Sequence, residues 1–158
     1  MNRRTLISFF YTDEIERQTL TPVAQEADRR QYRIRFTDRV DEPAEIGVYC
    51  SHRPDPSNAR MSVVLLHNLA QRHDMWPDFW QHEPWNRFDI GVLPGPAWRK
   101  RWQACAGQPE AHPRMGVYEL GWPKADDIFR DPEAFQRKVA RLRANLQLGH
   151  RRSVLYAP

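Results

Sequence analysis

The chain is predicted to be an α/β domain: a Rossmann-like, mostly parallel sheet with helices on both faces. Three observations predict it. Short runs rich in β-branched and aromatic residues alternate with segments of helical periodicity, the spacing of strands joined by crossover helices. Thirteen prolines sit mostly between the apolar runs, which implies many short connections. The first run, TLISFFY from Thr5 to Tyr11, is a compact run of β-branched and aromatic residues, the pattern of a strand buried on both faces.

Taken in order, Thr12 to Leu20 reads as a polar loop. Thr21-Pro22 then reads as an N-cap followed by proline at the first helical position, opening a helix to about Arg30. Strands are expected at Tyr32–Phe36, Ala44–Cys50, Ser62–His67, Phe88–Leu93 and Gly116–Leu120. A helix through Trp98 and Trp102 follows Pro94-Gly95-Pro96. The last helix is the best marked: Asp131 caps it, Pro132 and Glu133 occupy its first turn, and Gly149 ends it. Phe135, Val139, Leu142 and Leu146 give it an apolar stripe. Ser153 to Tyr156 reads as a further strand with no helix after it, an ending that looks like a cut.

At 158 residues the chain fits one ordinary domain. The composition, 41% hydrophobic and 28% charged, is globular. The net charge of +4 is mostly arginine interleaved with acids, and only Arg137 through Arg152 is strongly one-signed. A basic terminal helix can bind nucleic acid or an anionic membrane surface; more often it is a solvated face. No recognition motif supports a nucleic-acid partner. Two cysteines make no disulfide framework and point to a reducing compartment, with the cytoplasm as default. No apolar run approaches the ~20 residues that a membrane-spanning helix needs.

Several motifs are missing. There is no GxGxxG and no GxxxxGK[ST], and the first crossover carries Asp13, Glu14 and Glu16, which would repel phosphates. No cofactor is expected. Cys50-x-His52 is too sparse for zinc, so no metal site is expected either. Ligands of parallel sheets bind at the carboxyl ends of the strands. His67 ends the most apolar strand there, followed by the turn former Asn68. With an unperturbed pKa of about 6.5 its imidazole can take a proton from a hydroxyl nucleophile. The bland alternative is a strand-end histidine bonded to a backbone carbonyl. A second cluster is Gly121-Trp122-Pro123-Lys124-Ala125-Asp126, read either as a binding turn near a cleft or as a structural turn. Trp76, Trp80 and Trp85 are either an acceptor platform, a membrane-facing base, or core for a long loop.

Three stretches in order resemble the CDP-glycerol glycerophosphotransferase family, whose members build teichoic-acid and capsule-like polymers. They are VVLLHNLAQ (Val63–Gln71), ELGWPKADDIF (Glu119–Phe129) and SVLYAP (Ser153–Pro158). The family's motifs differ from this chain at three places: Asn68 stands where glycine is usual, the Thr-Pro-Leu-Lys-like continuation of that motif is absent, and Lys124 replaces arginine, keeping charge but losing bidentate geometry. The resemblance implies one half of a GT-B-like transferase. Residues 1–150 would be the acceptor-side domain and 151–158 the start of a donor-binding domain, the partner this half lacks. It further implies that His67 is the catalytic base, and that Asn68, Gly121, Trp122, Lys124 and Asp126 bind substrate. The acceptor would be a cell-envelope polymer or a lipid-linked molecule, reached through a peripheral contact at the inner face of the membrane. A glycosyltransferase using a nucleotide sugar and a standalone Rossmann-like binding module are the competing readings.

Overall fold

The computed structural model describes residues 4–51, 54–66 and 84–149. They fall into two compact units, Met1–Pro123 and Lys124–Pro158. The first contains β1 (Leu6–Phe10), α1 (Glu14–Arg29), β2 (Arg33–Thr37), β3 (Ala44–Tyr49), β4 (Ala59–Leu65), β5 (Ile90–Leu93), α2 (Pro96–Cys105) and β6 (Val117–Glu119). The second contains α3 (Asp126–Arg130) and α4 (Pro132–Asn145). All six strands are parallel, in the order β2-β1-β3-β4-β5-β6. The α/β, Rossmann-like class is therefore the observed one. The boundary expected near residue 150 and the strand at Ser153–Tyr156 lie outside the described residues.

Because strand side chains alternate, the sheet divides its apolar residues between two layers. Phe9, Val48, Leu65 and Val92 point to one face and pack with Leu20, Ala24 and Ala27 of α1. Phe10, Tyr49, Val64 and Leu93 point to the other, where Trp85, Phe88 and the α2 residues Trp98 and Trp102 cover them. Trp85 is completely buried, so of the readings offered for it the core reading is correct; Trp76 and Trp80 lie outside the described residues. It seats against bare backbone: a Cβ on Gly91 would stand 2.7 Å from its ring.

The start of α1 corrects the sequence reading. Thr12–Leu20 is not a loop, and Thr21 is not the cap. Asp13 is the N-cap, its carboxylate accepting from the Glu16 amide at 2.8 Å. Glu16 reaches back and accepts from the Thr12 amide at 2.7 Å, a close relative of the capping box. Pro22 therefore lies inside the helix. An interior proline removes one helical bond and costs about 3 kcal/mol. Burial of Thr19, Leu20, Ala24 and Ala27 on the same helix offsets it.

Both long helices end in the same way. After α1 the amide of Tyr32 bonds to the Ala27 carbonyl, and after α4 that of Leu148 bonds to Arg143. These are Schellman motifs with Gln31 and Gln147 in the left-handed position where glycine is usual. Gly149 does not terminate α4, because the chain turns two residues before it. The cap at the other end is as expected: Asp131 accepts from the Ala134 amide at 2.8 Å. The stripe on α4 buries nothing completely, and Leu142 and Leu146 are exposed.

The connection from β2 to β3 is the unusual part of the fold. Parallel strands normally need a crossover of a dozen or more residues, usually a helix. Here six residues, 38–43, carry the chain past β1 from the carboxyl end of β2 to the amino end of β3. That path is roughly 16 Å along the strands and 10 Å across them, about 19 Å in all. Seven peptide links reach about 24 Å when fully extended, so the linker has little slack. Side chains hold it down. Arg35 donates to Ser8 Oγ at 2.9 Å and to the Pro43 carbonyl at 2.7 Å, and pairs with Glu42 at 3.3 Å. The Asn58 amide donates to the carbonyls of Val40, at 3.0 Å, and Glu42, while its Oδ1 accepts from the Tyr49 hydroxyl.

Asn58→Ala would strand two linker carbonyls and a buried hydroxyl, so it should cost about 2–3 kcal/mol in urea denaturation. A loss below about 0.5 kcal/mol would contradict the anchoring role. Tyr49 supplies a pH signature. Burial, reinforced by the nearby Asp55 carboxylate, pushes its phenol pKa up. The unfolded phenol ionises near its ordinary value while the folded one stays neutral, so stability should fall as pH rises above about 10. Tyr49→Phe should flatten that alkaline fall, read from denaturation midpoints across the same pH range.

Candidate functional site

The carboxyl edge of the sheet offers two places for a ligand. The first lies between β1 and β3, where the chain departs to opposite sides and doubly wound folds leave a crevice. Phosphates bind there through amides at the first turn of the following helix. In this chain the protein's own carboxylates fill that turn. Asp13 takes the Glu16 amide, and Glu16, only 5% exposed, takes both the amide and the hydroxyl of Thr12 at 2.7 and 2.9 Å. A phosphate would have to displace a buried carboxylate to reach these donors. The acidic character expected of this loop is thus a built cap.

The second place lies at the ends of β4, β5 and β6. The Leu66 amide bonds to the Val92 carbonyl at 3.0 Å, and the Leu120 amide to the Leu93 carbonyl at 3.2 Å. The three strands therefore run out side by side over buried Leu65, Leu66 and Leu93. After β5, Pro94-Gly95 turns the chain into α2, and the amides of Trp98 and Arg99 both bond to the Gly95 carbonyl. Arg99 fixes α2 to β6: its guanidinium pairs with Glu119 and donates to the Val117 carbonyl at 3.0 Å. One turn on, Arg101 lies over the Trp98 ring, 4.4 Å from its centroid.

The residues singled out in the sequence are distributed as follows. His67 and Asn68 lie outside the described residues; Leu66, which precedes them, ends beside β5. Gly121 and Trp122 follow β6 at the carboxyl edge, and Gly121 has φ +96°, so the turn expected there is real and requires glycine. Trp122 is half-buried. Lys124 and Asp126 belong to the second unit. Lys124 is exposed within a short 3₁₀ turn, Pro123–Ala125, and Asp126 faces Arg130 at 3.9 Å, a surface pair one helical turn apart.

Arg99 is not among the residues that the sequence singles out. No local signal could have found it, because its partner Glu119 is twenty residues away and meets it only through the β5–α2–β6 crossover. Among the described residues no group of three His, Cys, Asp or Glu side chains could hold a metal ion. Among them, too, no helix is long and apolar enough to cross a membrane. No protein-family model, curated protein or solved structure matches the chain.

Gly121→Ala places a Cβ in a left-handed conformation with no neighbouring atom to blame for any effect. It should lower stability by about 1–2 kcal/mol through backbone strain alone. Unchanged thermal unfolding would show that the turn relaxes to another conformation.

Proposed function

We propose that this chain is the acceptor-side half of a GT-B-like transferase that moves glycerol phosphate from CDP-glycerol to a hydroxyl of a cell-envelope polymer or glycolipid. One observation carries the reading. Two of the three stretches that resemble the glycerophosphotransferase family follow β4 and β6, and these strands end on either side of β5 at one edge of the sheet. Stretches separated by about fifty residues of sequence thus leave the sheet on either side of a single strand, within reach of one ligand at that edge.

The chemistry assigned to the residues is simple. His67, as neutral imidazole, accepts the proton of the acceptor hydroxyl. The freed oxygen forms a bond to the β-phosphorus of CDP-glycerol, and the bond from that phosphorus to the bridging oxygen breaks, releasing CMP. The turn at Gly121 and Trp122 shapes the acceptor side. The filled first turn of α1 supports the same assignment from the other direction, since the nucleotide phosphates then have no cradle there and must be held by a donor-binding domain. Peripheral contact with a membrane would bring a lipid-linked acceptor to this half.

The test is CMP release by the product of the whole reading frame, supplied with CDP-glycerol and a glycerol phosphate acceptor. His67→Ala should lower the rate by ~10²-fold or more, the size of a lost general base. Release at the parent rate would leave His67 a structural strand end and remove the transferase reading.

A further inference from the structure

Helix α2 rises from the middle of the edge where the transferase reading places the acceptor, and two of its arginines face opposite flanks. Arg99 is committed to β6, through Glu119 and the Val117 carbonyl. Successive residues of a helix are turned by about 100°, so Arg101 stands roughly 200° round the axis from Arg99, on the flank toward β4. The chain leaves β4 on that flank at Leu66, one residue before His67. Long side chains on a helix point back toward its start, and the start of α2 is the carboxyl edge of the sheet. Arg101 does so: its guanidinium lies over Trp98, in the first turn, 4.4 Å from the ring centroid. Trp98 is itself packed against the core of this face, so it braces the guanidinium within a turn of the edge. Arg101 is accordingly half-buried, while its neighbour Lys100 is exposed. A guanidinium that gives its flat face to a ring carries its N–H donors around its rim, the geometry that grips two oxygens of a phosphate at once.

We propose that Arg101, braced by Trp98, binds the phosphate group of the acceptor nearest the attacking hydroxyl and so selects an acceptor that carries one. This role rests on the transferase reading for the acceptor's place at the β4–β6 edge. It needs none of the three stretches that resemble the family, since Arg101 lies between the first and the second of them. The ligand chemistry is a phosphate ester of a polyol. The donor carries phosphates too, and titrating donor and acceptor fragments separately tells the two sources apart.

The experiment is titration of the full chain with glycerol, glycerol 3-phosphate and CDP-glycerol, followed by NMR at the Trp98 indole N–H and the Arg101 Nε–H. Glycerol 3-phosphate should shift both signals, and glycerol should shift neither. Arg101→Gln keeps a long side chain over the indole without the charge, and should weaken binding by at least about tenfold, the size of a lost hydrogen bond to a charged group. Arg101→Lys keeps the charge without the rim of donors and should recover only part of the affinity. Thermal unfolding checks that both variants are folded. Parent affinity in Arg101→Gln, or no shift of these two signals in the parent chain, would overturn the assignment. CDP-glycerol binding there as tightly as glycerol 3-phosphate would overturn it as well, by giving Arg101 to the donor. CMP release by the whole reading frame is read separately. If His67→Ala is silent there while glycerol 3-phosphate still binds through Arg101, the reaction falls and the phosphate site stands; the converse removes Arg101 alone.

Discussion

The side chain of Asn58 ties together the part of the sheet that has least chain to spare. It holds the carbonyls of Val40 and Glu42 and receives the hydroxyl of Tyr49. The linker it holds runs back across β1 in six residues, where most parallel sheets use a helix. A linker that short cannot bury much surface of its own beyond Val40, so side-chain hydrogen bonds take over the work that helix packing does elsewhere. Arg35 and Glu42 complete the arrangement from the β2 side. With the linker fixed, β3 lies in register beside β1, Phe10 stacks on Tyr49 at 4.8 Å between ring centroids, and the strands beyond β3 have a template to extend.

Extension toward β6 depends on two further contacts that reach across the sheet rather than along it. Trp85 fills the space that a side chain on Gly91 would take, which lets an indole lie against the backbone of β5. Arg99 joins α2 to β6. Together these place the ends of β4, β5 and β6 at one level. The opposite half of the edge is closed by Asp13 and Glu16. The fold thus has one edge filled by its own carboxylates and a second, at the ends of β4–β6, framed by Gly95, Arg99 and Glu119, and the transferase reading rests on the second.

Much of this could be read from residue order. The strands follow from β-branched and aromatic runs, whose side chains prefer a pleated, doubly buried setting whatever surrounds them. Asp131 was legible as a cap because an acidic residue, a proline and an apolar period stand in the right order. The start of α1 is not legible, because Thr21-Pro22 is a strong local signal while the true cap, Asp13 with Glu16, stands inside a stretch too polar to look helical. Tertiary burial of Thr19 and Leu20 decided between them. Residue type alone points to Gly149 as the terminator, yet Gln147 adopts the left-handed conformation because the Schellman bonds fix the turn at that place. The linker could not have been foreseen at all, since Asn58 meets it from sixteen and eighteen residues away. Of the site, the turn at Gly121 was legible from glycine chemistry, whereas Arg99 acquires its role only when the crossover brings Glu119 to it.

The transferase proposal requires that ligand bind at the ends of β4–β6 and not at the β1–β3 crevice. Amide hydrogen exchange with and without a short glycerol phosphate oligomer tests it most directly. Protection should rise at Leu93–Trp98 and Leu120–Trp122 and stay unchanged at Tyr11–Glu16. Protection confined to Tyr11–Glu16, or absent from both edges, would contradict the claim.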